Sequence, residues 1–232
     1  MKKLVTLVAA LAFAGAAFAL DFSVGARGNF NMGLGTTFEK ELQEELKNMK
    51  DDGVDISYPL VVGGGFGVYG HIGFLGFANL TLGATLEFGM NFNNGKSFKV
   101  KDVDDSKVTY YAHSIDIPLM ITLKVPVAET VKLDFGLGPN FSIPFGAGTV
   151  MGDEKYPLKD YYDKVSYNLN IGLVFDADVG FKVGPGYVLV DVRYLLDFTP
   201  ATAKSTVEGV TYKGEYLYRR SLNIGVGYEF NF

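Results

Sequence analysis

Along most of the chain, hydrophobic and polar residues alternate at every second position, and this repeat narrows the available folds more than any other feature. The clearest run sets Leu80, Leu82, Ala84, Leu86, Phe88, Met90 and Phe92 against Thr81, Gly83, Thr85, Glu87, Gly89 and Asn91. A period of two belongs to a strand with one apolar face. The same pattern covers residues 22–34, 114–123, 131–141, 166–179, 188–198 and 221–232. A glycine-rich strand near residues 60–72 brings the number to eight, its faces left open by the sequence. No charge separates Asp55 from Glu87, which by hydropathy alone would suggest membrane helices. Gly63, Gly64, Gly65, Gly67, Gly70, Gly73 and Gly76 weaken any helix there, and the apolar residues follow no 3.6 period.

Alternation alone would also suit a soluble sandwich or a lipocalin-like barrel with its apolar face inward. Connection lengths argue for a membrane barrel. Those near residues 36–58, 93–107, 144–164 and 199–214 are long and charged, whereas those near 73–76, 126–130 and 182–186 are brief. Transmembrane barrels have this asymmetry, with short periplasmic turns and long outer loops. The apolar faces carry almost no charge over the ~9–11 residues that cross a bilayer. Tyr and Phe recur at strand ends, as in Tyr110, Tyr167, Tyr187, Phe198 and Tyr218, where interfacial girdles belong. In hydrocarbon every backbone group must be paired, so the sheet has to close. The expected fold is all-β, a closed antiparallel transmembrane β-barrel of eight strands with short periplasmic turns and long extracellular loops. An even strand number brings both termini to one side, the periplasm, and eight strands leave an interior that side chains fill.

The N-terminus reads as a targeting segment. Lys2 and Lys3 precede an apolar run, Leu4 to Phe18, and Ala17-Phe18-Ala19 offers the small-x-small site of a signal peptidase. Residues 1–19 are therefore expected to be cleaved from a barrel domain at 20–232; an uncleaved anchor is the alternative. The chain has no cysteine, which excludes disulfides, thiolate metal sites and a cysteine nucleophile. A net charge of −5 gives no basic footprint for nucleic acid. Gly63–Gly70 is not followed by Lys-Ser/Thr, so it is no phosphate loop, and no cofactor is expected.

The last residues, Gly227-Tyr228-Glu229-Phe230-Asn231-Phe232, resemble the C-terminal signal of bacterial outer-membrane barrels. Gly227, Phe230 and Phe232 match that signal, while Gly225 stands where a polar residue is commoner. The chain from residue 20 onward is similar to the small eight-stranded barrels such as OmpX, OmpW and the transmembrane part of OmpA. The resemblance implies residence in the bacterial outer membrane, contact with its lipid and recognition by the barrel-assembly machinery. It implies no single activity, since roles on this scaffold range from anchoring and adhesion to narrow conduction of hydrophobic compounds.

Candidate site residues follow from the faces. The interior is expected to hold Arg27, Lys132, Arg193 and Arg219 with Glu87, Asp116, Asp134, Asp176, Asp178, Asp191, Asp197 and Glu229. Charges in a dry interior must pair, so a salt-bridge ladder that plugs the barrel is expected, with a gated narrow path as the alternative. Arg220 falls on the apolar face at the outer interface, where its guanidinium can reach a lipid phosphate or a loop carboxylate. Tyr156, Tyr161 and Tyr162 cluster with lysines in the third long loop and could meet a host or other surface ligand. Thr36-Thr37-Phe38-Glu39 fits a capping box before a helix whose Phe38, Leu42, Leu46 and Met49 share a face that packs on the barrel mouth. An outer-membrane lipid-modifying enzyme, cutting or transferring acyl chains, is the contrasting class. The chain has two histidines, and Ser114 beside His113 faces the other side of its strand, which breaks a nucleophile–base dyad. The expected function is a structural or surface-interaction barrel without catalysis; the rival is a narrow channel or porin-like conduit for small or hydrophobic solutes.

Overall fold

The computed structural model describes residues 21–38, 40–77, 79–160, 164–207 and 210–232. The expected signal segment, 1–19, lies outside them. Eight strands close a barrel: β1 (Asp21–Met32), β4 (Val62–Phe77), β5 (Leu80–Val100), β6 (Val108–Ala128), β7 (Val131–Met151), β10 (Asn170–Val183), β11 (Gly186–Asp197) and β14 (Arg220–Asn231). Each pairs antiparallel with its neighbours in that order, and β1 pairs β14 from Ser23↔Asn231 to Met32↔Leu222 to complete the ring. The described N- and C-terminal strand ends therefore share the rim that carries the three tight turns. Asn79 (φ 68°) and Gly184 (φ 61°) hold two of these turns in the left-handed conformation that Asn and Gly tolerate.

Side-chain burial alternates with period two, inside out relative to a soluble protein. Ser23, Arg27 and Asn31 of β1 are buried in the lumen, as are Glu87 and Asn91 of β5 and Asp116, Met120 and Thr122 of β6. Their neighbours Phe30, Phe88, Leu119 and Ile121 are 71, 49, 46 and 55% exposed, the outward face a hydrocarbon solvent requires. In β4, left open by the sequence, Gly67, Tyr69, His71 and Gly73 face in and Phe66, Val68 and Phe74 face out.

At the other rim the connections are more ordered than the sequence suggests. The segment 93–107, read as a loop, is a hairpin in which β5 runs on to Val100 and β6 starts at Val108. Register shifts at Asn91/Asn94 and at His113/Ser114 mark where these strands leave the membrane-crossing wall. Strand β7 runs on to Met151 and turns into β8 (Glu154–Pro157). A second sheet, β2 (Thr37–Phe38), β13 (Val210–Tyr218), β12 (Ala201–Val207) and β9 (Lys164–Tyr167), stands beside them. Ser166 and Tyr167, read as the start of the sixth barrel strand, belong to β9 instead. Helix α1 (Lys40–Asp51) and the short β3 (Ile56–Ser57), paired to β5, complete this crown.

The crown has its own core of Phe38, Leu46, Ile56 and Leu217, edged by Leu42, Val54, Phe98 and Tyr110. The rings of Phe98 and Tyr110 meet Phe38 edge-on at 5.8 and 5.5 Å. The capping-box expectation needs correction. The Thr36 hydroxyl donates to the Arg220 carbonyl (3.1 Å) and accepts from the Arg220 N–H (3.2 Å), so it ties the chain to β14 rather than capping α1. Met49 also lies outside the core, 36% exposed.

Candidate functional site

Three layers of charge cross the lumen, each set by register. In the middle layer, Glu87 of β5 faces Arg193 of β11 across the barrel, four strands away round the ring. The guanidinium grips Glu87 with both Nη atoms (3.0 and 2.9 Å) and turns Nε and Nη2 to Asp176 (3.2 and 3.0 Å). Arg27 of β1 closes the knot, 3.0 Å from Glu87 and 3.2 Å from Asp176, its guanidinium 4.7 Å from the Tyr69 ring centroid. Bidentate pairing fixes orientation as well as charge, so these residues behave as one unit. Asp191 faces Asp178 on the adjacent strand, with Arg27 at 4.0 and 3.7 Å.

Towards the termini, Glu229 of β14 collects Lys132 of β7 (2.5 Å), Lys124 of β6 (3.2 Å) and the Tyr69 hydroxyl (3.2 Å). Lys132 also meets Asp134 at 2.7 Å, and Lys124 meets Asp21 at 3.0 Å. Towards the crown, Arg219 bridges Asp116 (2.8 Å) and Asp197 (3.1 and 3.0 Å) and donates to Ser114 (3.2 Å). The space left over is slight: a cavity of about 20 Å³ beside Arg219 and one of about 10 Å³ beside Tyr69 and His71. Each has room for about one water.

The structure thus brings Arg27, Glu87, Asp191 and Arg193 into one layer and places Asp116 with Arg219 in another. Sequence reasoning missed Lys124, although it continues the alternation one step past Thr122. It also missed the inward apolar contact of Met120, Val174 and Leu195. Asp176, Asp178 and Asp191 bring carboxylate oxygens within 4.8 Å of one another, a spacing a metal ion could use. Arg27 Nη1 lies 3.2 to 4.0 Å from all three, so a guanidinium already stands where such a cation would sit.

Other sequence candidates are spread over the molecule. Phe232 N–H donates to the Phe22 carbonyl (2.9 Å) and the two rings lie 5.7 Å apart, so the terminal aromatic helps seal β14 to β1. Gly227 lies against Ala26 and Arg27, where a Cβ would come within 2.8 Å of backbone, and Phe230 faces outward. Arg220 is exposed and runs along Gly35. Tyr156 lies in β8 and donates to the Glu154 carboxylate, while Tyr161 and Tyr162 fall outside the described residues. Ser114 donates to Asp116 in the lumen (3.4 Å), whereas His113 faces outward among Phe92, Tyr111 and Phe145.

The wall opens beside the upper end of β7. The β7–β10 ladder ends at Ser142↔Asn170, after which β9 swings to β12 and β7 continues to β8. The Tyr167 hydroxyl accepts the Ala147 N–H across the gap (3.0 Å). A cavity of about 490 Å³ lies here, lined by Tyr111, His113, Phe145, Pro157 and Tyr167 among others.

Comparison with known proteins agrees with this geometry. Residues 13–203 match the outer membrane protein beta-barrel domain family. Among solved structures, the outer membrane protein OprG from Pseudomonas aeruginosa is similar at 10% identity and a TM-score of 0.53, covering 92% of this chain and 97% of that one. A major outer membrane protein from Thermus thermophilus gives 12% identity, 90 and 99% coverage and a TM-score of 0.47. Ail, the attachment invasion locus protein of Yersinia pestis, gives 13%, 90 and 99%, and 0.39. At such identities the likeness concerns the fold. No curated protein sequence matches the chain.

Proposed function

The chain belongs to the outer membrane protein beta-barrel domain family, and from that premise we propose that it is a non-conducting, non-catalytic barrel of the bacterial outer membrane that acts through its crown. The observation that carries this reading is the ionic knot of Arg27, Glu87, Asp176 and Arg193, which spans the lumen with every member buried. Opening a path would separate several charge pairs in a dry interior, and breaking one such buried pair already costs about 3–5 kcal/mol. The strand ends and tight turns then face the periplasm, and the crown, the taller and more charged end, faces outside and meets the surface ligand. The barrel-assembly machinery reads Gly227, Phe230 and Phe232, and a signal peptide at 1–19 directs export.

Planar-bilayer recording tests the plug. The reading expects no conductance steps from the intact protein, and steps once Arg27→Ala and Arg193→Ala are combined. Steps from the unaltered protein overturn it. An epitope inserted after Gly152, in the β7–β8 turn, should be stained on intact cells. Staining only after permeabilisation reverses the orientation.

The rival reading, a conduit for small hydrophobic solutes, draws on the aromatic cavity beside Tyr167. If it holds, Tyr167→Ala should change the rate of hydrophobic-solute uptake into vesicles without any ionic conductance.

A further inference from the structure

Above the pair Met32↔Val62, one further bond, from the Gly33 N–H to the Val61 carbonyl (3.2 Å), ends the contact between β1 and β4. Residues 34–36 then lean towards β14, where Gly35 N–H donates to the Arg220 carbonyl (3.0 Å). Residues 58–60 instead follow β5, where the Ser97 hydroxyl donates to the Pro59 carbonyl (3.2 Å). A cavity of about 280 Å³ lies between these segments and one of about 200 Å³ beside it, among Thr36, Phe38 and Leu46 of α1; Tyr58 and Lys96 line both.

Two ammonium groups meet at the Tyr58 ring, Lys50 Nζ 4.6 Å and Lys96 Nζ 5.3 Å from its centroid. Neither has a carboxylate at salt-bridge distance among the described residues. This contrasts with the lumen, where every lysine and arginine is ion-paired. Cations face an aromatic ring favourably, but two of them at one ring repel, and an anion between them would turn that repulsion into attraction. Lys96 is half-buried, so its field is screened less than that of a fully solvated lysine.

The height of the opening decides which anion. From Phe232, the ~11 residues that cross hydrocarbon end near Leu222, which is paired with Met32. The opening thus sits directly above the apolar belt. Its outward lip is hydrophobic, with Leu34 56%, Leu60 50% and Val62 53% exposed. Arg220, also without an ion pair among the described residues, lies along the far flank of the same turn. A soluble anion would use the lysines and leave the apolar lip in water. An anionic amphiphile would use both.

We propose that this opening binds the phosphate of an anionic membrane lipid, with Lys50 and Lys96 holding the phosphate at Tyr58 and Leu34, Leu60 and Val62 receiving the acyl chains. The site lies outside the plug and does not depend on whether the lumen conducts.

The chain contains no tryptophan, so Leu34→Trp supplies a single reporter at the lip, and Ile121→Trp one on the remote apolar wall. Both are reconstituted in phosphatidylcholine vesicles carrying equal fractions of brominated phosphatidylglycerol or brominated phosphatidylcholine. The site predicts preferential quenching at Leu34→Trp by the anionic lipid, equivalent to about fivefold enrichment for each contributing lysine, and none at Ile121→Trp. Lys50→Gln with Lys96→Gln should cut the preference at least severalfold, leaving at most what Arg220 attracts, and the double Arg variant should keep it, each with an intact heat-dependent gel shift. Equal quenching by the two lipids, or a preference undiminished in the double Gln variant, overturns the proposal. So does displacement of the lipid by millimolar inorganic phosphate, which would mark a soluble-anion site.

Discussion

The wall inside the bilayer and the crown above it are continuous strands, yet their interiors are opposite in kind. Below the register shifts at Asn91 and Ser114, β5 and β6 turn Glu87, Asn91, Ser114 and Asp116 inward and Leu86, Phe88, Ile117 and Leu119 outward. Above those shifts, Phe98 of β5 and Tyr110 of β6 pack with Phe38 and Leu217 into an apolar core. The strand pleat is the same in both places, so the backbone does not choose. The outer solvent does. Lipid outside takes the apolar face and leaves the polar face to satisfy itself within, as backbone and charge must in hydrocarbon. Water outside restores the ordinary arrangement. The bulge in β5, with Asn93 at φ 55°, shifts that strand's phase between the two solvents, whereas β6 keeps one phase and changes only the polarity of its inward residues, from Ser114 and Asp116 to Tyr110.

The strongest way to break this comparison is to remove a charge from the buried layer. Arg193→Met leaves Glu87 and Asp176 with Arg27 as their remaining partner, and should cost about 3 kcal/mol, the lower end for breaking a buried pair. Urea titration in lipid vesicles reads the loss. Arg193→Met combined with Glu87→Leu removes both members of the bidentate pair and should be less damaging than Arg193→Met alone. If the double variant is as weak as the sum of its singles, the knot is not one coupled unit.

A smaller effect sharpens the inside–outside assignment on a single strand. Leu119 is 46% exposed and Met120 2%. Leu119→Arg places a cation in mid-membrane lipid and should cost ~2–4 kcal/mol. Met120→Arg enters a lumen whose buried residues include eight carboxylates against five cations, with Asp176 close by across Gly136. It loses the contact with Val174 and Leu195 but gains counter-charges, so it should be the milder of the two. The opposite ranking in urea would mean that packing, not charge, governs this level of the lumen.

The same contrast explains what the sequence discloses. In the wall, alternation against lipid is close to binary, so eight strands, the faces of all but the glycine-rich β4 and most lumen charges can be read residue by residue. The crown hides because its rule changes within a strand. Asn93-Asn94-Gly95-Lys96 reads as a loop, and beyond it Phe98 no longer faces lipid but joins Phe38. Thr36 reads as a helix cap because its partner, the Arg220 backbone, is remote in sequence. Lys124 escapes notice because a lysine near a strand end reads as an interfacial residue, whereas its ammonium meets Asp21 and Glu229 inside. Local pattern reports the solvent on each side of a strand; it does not report contacts between distant segments.

If crown and wall are separate in stability as well as in chemistry, Leu46→Ala should open the crown core by about 2 kcal/mol, the low end for a buried leucine, because that core is small. Hydrogen exchange at α1 should speed up by the corresponding factor while the urea midpoint of the barrel stays in place. A barrel midpoint that falls with the crown would show that the two regions unfold as one.

The smallest effect is expected at the seam. Arg220 stands outward on β14, opposite Leu196 of β11 and against Gly35, while its sequence neighbour Arg219 is buried in the lumen between Asp116 and Asp197. One step along the chain thus separates an arginine held by protein from an exposed one. For Arg219 the partner is fixed and screened little by salt. For Arg220 a headgroup phosphate would be the partner, in a zone where each cation gains about 1 kcal/mol from anionic lipid and loses it with rising ionic strength. Arg220→Gln should therefore lower stability by ~1 kcal/mol or less in vesicles containing phosphatidylglycerol, by less in phosphatidylcholine, and by less again at high salt. Paired urea titrations in the two lipids across a salt series give the difference directly. A loss equal in both lipids and indifferent to salt would assign Arg220 to a contact within the protein, and the seam would then belong to the crown.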